Sequence, residues 1–290
     1  MKSRYIIVSV IATIAIFAVL FVVVQKHLEQ DKNDMEWKLL DMAILKIQDE
    51  LDKNQMLAET LAKYGESVSI SSTENGEFDN FVCSSLLIDT NLVGVWIFYE
   101  PFQMYKDKFH FGVYANKIKG EPYFTDNNGI IYKKIKNYED YIDYTTEGWY
   151  LQGINPNGKA AWSGIFEDVT VNTKMVTVSV PFFREQKIIG VAGTDMSIDN
   201  IDKVVKHLSL EGGKAFLLSK DGFYMSSWDN SRELTDNILE DTNATLKQIG
   251  MEMLNSPKNS GKYTLDGKDY IVHSAIIPKV DWNLIILFEL

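Results

Sequence analysis

Cysteine is almost absent from this chain. Cys83 is the only one in 290 residues, which excludes an intrachain disulfide framework and any multi-cysteine metal site. The lone thiol reads as a buried, inert side chain rather than a nucleophile. Basic residues are also short, with 29 Lys and Arg against 40 Asp and Glu for a net charge of −11. That balance argues against nucleic acid, whose binders turn dense Lys/Arg patches toward phosphates. Catalytic signatures are missing as well. The four histidines, His27, His110, His207 and His273, are scattered without an i,i+4 partner. There is no H-E-x-x-H, no G-x-S-x-G elbow, no Walker loop and no glycine-rich dinucleotide turn. Pairs such as Glu167-Asp168 are as common on solvated loops as in active sites. The reading is therefore not an enzyme, with no cofactor and no metal.

What is present is unevenly distributed. Tyr5 to Val24 is an almost unbroken apolar run, with Ser9 and Thr13 as mild interruptions. Twenty helical residues rise about 30 Å, the thickness of a bilayer's hydrocarbon core. Lys2 and Arg4 precede the run, which favours a cytoplasmic N-terminus. The run exceeds a signal-peptide core and ends in Val22-Val23-Val24-Gln25 with no small-residue cleavage site. The expectation is an uncleaved single-pass membrane anchor, with residues 25–290 outside the cytoplasm. Removing Lys2 and Arg4 with the first 24 residues leaves an exported part of net charge −13.

After the anchor, Trp37, Leu40, Ile44, Ile47, Leu51, Ala58 and Leu61 follow a 3-4 spacing, with Asn54 in the one polar slot. This predicts a helix from about Met35 to Tyr64. Its seam fits two roles, packing on its own domain or pairing with a second copy in a homodimeric stalk. Gly65 and the polar run Ser67 to Asn75 predict a turn.

The period then changes to two. Val93–Tyr99 and His110–Tyr114 read as strands, and Tyr123–Tyr132 as strand, turn and strand about Asp126-Asn-Asn-Gly129. Lys174–Phe183 alternates, with Val176, Val178 and Val180 on one face and Thr177 and Ser179 on the other; Ile188–Met196 returns beside it. This predicts an antiparallel sheet of about five strands with helices to one side, an α+β unit. A helix at Ile198–Leu210 leads to a smaller copy. Strands 215–219 and 223–227 flank Asp221-Gly222, a helix spans about Asn237–Leu254, and strands follow at 263–265, 270–277 and 282–288. The repeated order suggests an internal duplication. The expected organisation is an anchor at 1–29, a stalk helix at 30–66 and two small α+β modules in series, at 67–200 and 201–290.

An informative run of aromatic rings lies between Tyr138 and Asp195, in segments that otherwise read as loop or short helix. Tyr144, Trp149, Tyr150, Trp162 and Phe166 stand there, with Asp143, Glu147 and Glu167 among them. Rings with a few fixed polar groups are the make-up of a small-molecule site; the competing reading is that Trp149 and Trp162 plug the side of the sheet.

At these residues the chain resembles a known family. Gly148-Trp-Tyr150, Trp162-Ser-Gly-Ile-Phe-Glu-Asp168, Val176–Pro181, Ile189–Ser197, Lys220-Asp-Gly222 and Val280-Asp-Trp-Asn-Leu284 resemble the double Cache extracytoplasmic sensor domain of bacterial chemoreceptors, sensor kinases and diguanylate cyclases. The resemblance implies that both modules are PAS-like, the membrane-proximal one at 201–290 and the distal, membrane-far one, with the ligand site, at 67–200. Trp149 and Tyr150 match its Trp-Tyr pair, and Asp195 matches its acceptor for a ligand ammonium. The Arg that grips a carboxylate in amino-acid-sensing members is replaced by Glu147, and an expected tyrosine by Phe166. A carboxylate at 147 would repel a ligand carboxylate, whereas Trp149, Tyr150 and Trp162 offer faces for a cation. An amine-type or other non-carboxylate ligand is expected. The functional reading is small-molecule sensing for transmembrane signalling; the alternative is an anchored solute-binding or scaffold protein without its own output. The chain reaches Leu290 without a cytoplasmic signalling module, so that module is expected either in a longer receptor or on a partner.

Overall fold

A computed structural model describes the chain except Met1, residues 118–132, 136–142, Pro156, 169–172, 211–212 and Asn255; the side chains at 2–15, 133–135, 168, 210 and 230 also lie outside the description. The strand–turn–strand expected at 123–132 therefore falls outside it, as do Tyr138 and Tyr141.

Helix α1 runs without a break from Lys2 to Ser67, so the apolar run and the stalk are one rod of 66 residues. No Pro or Gly interrupts the sequence before Gly65, and helical hydrogen bonding simply continues. Its seam is filled by the chain itself. Leu40, Ile44, Ile47 and Leu51 are buried against one apolar cluster, and Ala58 and Leu61 against another. Of the two roles the spacing allowed, packing on the chain's own sheets is the one these residues serve. The segment 67–75, expected as a turn, instead carries a short helix α2 at Ile70–Glu74, started by a reciprocal Ser69–Ser72 capping box. Helix α3, Glu77–Ser85, follows Gly76, whose φ of +82° suits glycine.

Among the described residues the first sheet has seven strands, against an expectation of about five. It comprises β1 (Leu92–Tyr99), β2 (Phe111–Asn116), β3 (Lys133–Ile135), β4 (Ala161–Trp162), β5 (Phe166–Asp168), β6 (Thr173–Arg184) and β7 (Lys187–Ser197). Their order is β3-β2-β1-β7-β6-β4, with β5 also on β6. The added strands β4 and β5 come from a segment that read as loop. Two or three residues are too few to show alternation, but they pair with the outer edge of β6. Helices also lie on both faces rather than one. α1 and α3 cover the face of Val95, Ile97, Val178 and Ala192. The short α4, Gly148–Gly153, covers the other, where Trp96, Phe98, Tyr114 and Val191 gather.

Helix α5, Asp199–Leu210, leads to a second sheet of β8 (Gly213–Leu218), β9 (Tyr224–Ser227), β10 (Lys258–Leu265), β11 (Lys268–Ile277) and β12 (Trp282–Glu289), in the order β10-β11-β12-β8-β9. In both sheets an early hairpin (β1-β2, β8-β9) joins a terminal one (β6-β7, β11-β12) through the pairing of its first strand with the last. The repeated strand pairing agrees with the duplication read from sequence. The helix expected at 237–254 is shorter: a single 3-10 turn at Ile238–Glu240, then α6 at Ala244–Met253, which starts where Asn243 Oδ1 accepts from the Thr245 and Leu246 amides.

Candidate functional site

The two faces of the first sheet differ in chemistry because its strands alternate. On β6, Val176, Val178 and Val180 point toward α1, while Thr177 and Ser179 point away; all five are buried. Each hydroxyl is occupied. Ser179 Oγ donates to the Trp149 carbonyl at 2.6 Å and receives the Gln152 amide at 3.1 Å, which docks α4 on the sheet. Thr177 Oγ1 donates to Asp195 Oδ1 at 2.7 Å across β7.

Asp195 is only 6% exposed. The indole Nε1 of Trp96 also donates to its Oδ1, at 3.3 Å. This indole reaches β7 because position 193 is glycine: a Cβ there would sit 2.2 Å from the Trp96 ring. The ring is covered by Trp149, edge-on at 4.7 Å between centroids, and Trp149 also packs on Phe98 at 5.6 Å. Asp195 and Trp149, far apart in sequence, are thus bridged by Trp96.

The other expected site residues are placed as follows. Tyr144 and Tyr150 are buried beside each other at 5.0 Å. The Tyr144 hydroxyl donates to the Tyr99 carbonyl at 2.6 Å and accepts from the Phe111 amide. Tyr150 donates to Glu100 Oε1 at 2.6 Å; burial first, then this hydrogen bond, pushes its phenol well above the usual tyrosine range. Both hydroxyls are thus held by the protein itself. Glu147 is the half-buried residue at which α4 begins. Phe166 pairs with Met175, in the row of Thr177, and stands half-buried on the Asp195 face near the sheet's edge. Trp162 pairs with Val178 and packs on the clusters under α1. It is on the opposite face of the sheet from Asp195, so Trp149 and Trp162 do not form one wall.

Sequence reasoning missed Trp96, Tyr114 and Thr177 as members of this cluster. The signal was present for Thr177, as a polar residue on the alternate face of a valine strand. For Trp96 only the register of β1 against β7, which sets Trp96 opposite Gly193, brings the indole to the acid. Among the described residues no group of His, Cys, Asp and Glu is arranged to hold a metal ion.

Two antiparallel sheets strung along one long helix, with a polar and aromatic face in the first, define the class: an α+β fold of two tandem PAS-like modules. Residues 78–203 match the family model described as the methyl-accepting chemotaxis protein-like first PDC sensor domain. The Bacillus subtilis methyl-accepting chemotaxis protein McpC is 30% identical over 132 residues, which make up 45% of this chain and 19% of that protein. The matched stretches span under a fifth of the curated relatives' length. The extracellular domain of the putative histidine kinase mmHK1S-Z3 superposes with a TM-score of 0.70 at 16% identity, over 89% of this chain and 93% of its own. The ligand-binding domain of the Campylobacter jejuni chemoreceptor Tlp3 in complex with L-valine does so with a TM-score of 0.61 at 17% identity, over 87% and 90%. The resemblance to Cache-type sensor domains of chemoreceptors and histidine kinases is thereby shown. These are sensor rather than catalytic domains. L-valine carries a carboxylate, so this neighbour gives no support to the expected non-carboxylate ligand.

Proposed function

We propose that this chain is the extracytoplasmic sensing part of a bacterial transmembrane chemoreceptor or sensor kinase, and that its first sheet binds a small molecule bearing an ammonium group at Asp195. The observation that carries this is the contrast between the two sheets. On the first, the face away from α1 holds a buried carboxylate flanked by Thr177, Trp96 and Tyr114. On the second, the corresponding face is filled by the chain's own apolar groups: Phe216, Tyr224, Tyr263 and Tyr270 with Leu246, Ile249 and Met253 of α6. Residues 67–200 are accordingly the binding module and 201–290 the relay toward the membrane. Trp149 and Tyr150 wall the site, with Tyr144 behind them and Glu147 and Phe166 at its margin.

Anchoring by residues 5–24 belongs to the same proposal. Among the described residues no helix is long and apolar enough to cross a membrane; the side chains of residues 2–15 lie outside that description. The described part, Ile16 to Val24, turns apolar side chains outward on every side, each large one more than half exposed. Such a surface suits lipid. A homodimer would use the outer face of α1, because the inner seam is taken. Met35, Met42, Leu45 and Met56 are all exposed there, at intervals of seven, three and eleven.

The test is a thermal-shift screen of the full chain in detergent against L-amino acids and the amines obtained by removing their carboxylates. Stabilisation by at least one ammonium compound, lost in Asp195→Ala, is expected. Stabilisation only by anionic or uncharged compounds would sink the ammonium reading.

A further inference from the structure

Asn116 is the last residue of β2. Val113 and Ala115 of that strand face α1, so Tyr114 and Asn116 face the site. The side chain is fully buried, yet among the described residues neither its Oδ1 nor its Nδ2 has a hydrogen-bond partner. A carboxamide presents one acceptor and two donors, and leaving all of them unmet inside a protein is destabilising compared with an apolar residue of similar shape.

Its position offers the amide a use. Asn116 pairs with Gly94, and Gly94 pairs with Asp195, so the three form one row across three strands, about 4.8 Å apart at each step. The middle residue has no side chain. A Cβ at position 94 would lie 2.4 Å from Asp195 Oδ2 and 2.7 Å from the Tyr114 hydroxyl, so both groups lean into the space above Gly94, between Asn116 and the acid.

We infer that Asn116 is a ligand-contacting residue of this site. Its Oδ1 accepts from the ligand's nitrogen and its Nδ2 donates to a ligand oxygen. The inference rests on the ammonium reading of Asp195 and deepens it. The ligand class is an ammonium compound that also carries an oxygen acceptor a few bonds away, met by a neutral amide where Glu147 supplies no cation.

The experiment is calorimetric titration of the full chain with L-amino acids and their decarboxylated amines, comparing wild type with Asn116→Leu and Asn116→Ala. Removing the amide should weaken the best amino acid at least tenfold and its amine about threefold. The unliganded melting temperature of Asn116→Leu should equal or exceed that of wild type; if Leu is too bulky to fold, Asn116→Ala removes the same atoms without adding volume. Unchanged amino-acid affinity in a folded Asn116 variant overturns the inference and leaves the ammonium reading standing. Binding of amines alone by wild type overturns it in the same way. No binding of any ammonium compound by wild type removes the ammonium reading, and this inference with it.

Discussion

Gly94 shows how a single hydrogen atom in place of a methyl group shapes this molecule. Asp195 Oδ2 and the Tyr114 phenol occupy the volume a side chain would take, so Gly94→Ala must displace a carboxylate and a ring anchored by the sheet. A destabilisation of about 1–3 kcal/mol is expected from the overpacking, together with loss of the ligand response in a thermal-shift assay. An unchanged response would mean that the carboxylate does not need this position. Tyr150→Phe is a milder change. It removes the 2.6 Å hydrogen bond to Glu100 while keeping the ring, and should cost about 1–2 kcal/mol in denaturant unfolding. Cys83 is buried, and burial alone pushes its thiol up to about 11. The native protein should therefore not react with a thiol reagent at pH 8 and should react fully once unfolded; fast native labelling would place the thiol at the surface.

Among the elements, α1 shows how one periodic pattern serves several neighbours. Its inner stripe packs on both sheets, and its one polar slot, Asn54, is buried with Nδ2 donating to the Glu50 carbonyl. Nearer the N-terminus, Glu36 Oε2 of α1 meets His273 Nε2 of β11 at 3.1 Å in a buried contact, with Trp37 tilted against the imidazole at 4.2 Å. Burial is the largest influence on His273 and outweighs the help of Glu36, so its pKa falls below its ordinary value of 6.5. The folded state then binds fewer protons than the unfolded chain below pH 6.5. Stability should be fully present above that pH and decline as pH falls toward the lowered folded value. His273→Gln should flatten the decline in a melting-temperature series from pH 8 to 5; an equally steep decline in the variant would assign it to other groups.

At the scale of the whole molecule, the two sheets are tied by charge as well as by the helix. Lys174 of β6 reaches Glu233, beyond β9, at 2.6 Å, and Lys206 of α5 approaches the same carboxylate at 3.7 Å. Glu233 also accepts from the Ser227 amide at 3.2 Å, and its side chain is only 5% exposed. Lys174 lies three residues before Thr177, the partner of Asp195, so one strand carries both the candidate site and the tie to the second sheet. Lys174→Met leaves a buried carboxylate with one fewer cation. It should cost about 1–3 kcal/mol, less than a fully buried pair because Lys174 is about one-third exposed. Calorimetry should show the unfolding of the two sheets less tightly coupled, and a single transition of unchanged midpoint would argue against the tie.

The sequence by itself determined what depends on local pattern. A heptad spacing marks the helical rod, alternation marks β1, β6 and β7, Asp-Gly pairs mark turns, and the shortage of cysteine and basic residues narrows the chemistry. It also placed Asp195 and the Trp149-Tyr150 pair in one module through their resemblance to sensor domains. It did not register strands as short as β4 and β5, since two or three residues carry no period. Nor could it choose between a self-packed and a dimeric stalk seam, because both roles demand the same apolar stripe. Tertiary structure decided those points, and it decided which rings meet the acid. Strand register is a long-range property: it sets Trp96 over Gly193, Asn116 beside Gly94, and Trp162 on the far side of the sheet. A shift of one residue would reverse each assignment, and nothing in the local sequence holds that choice. It is fixed only when both faces of the sheet are packed.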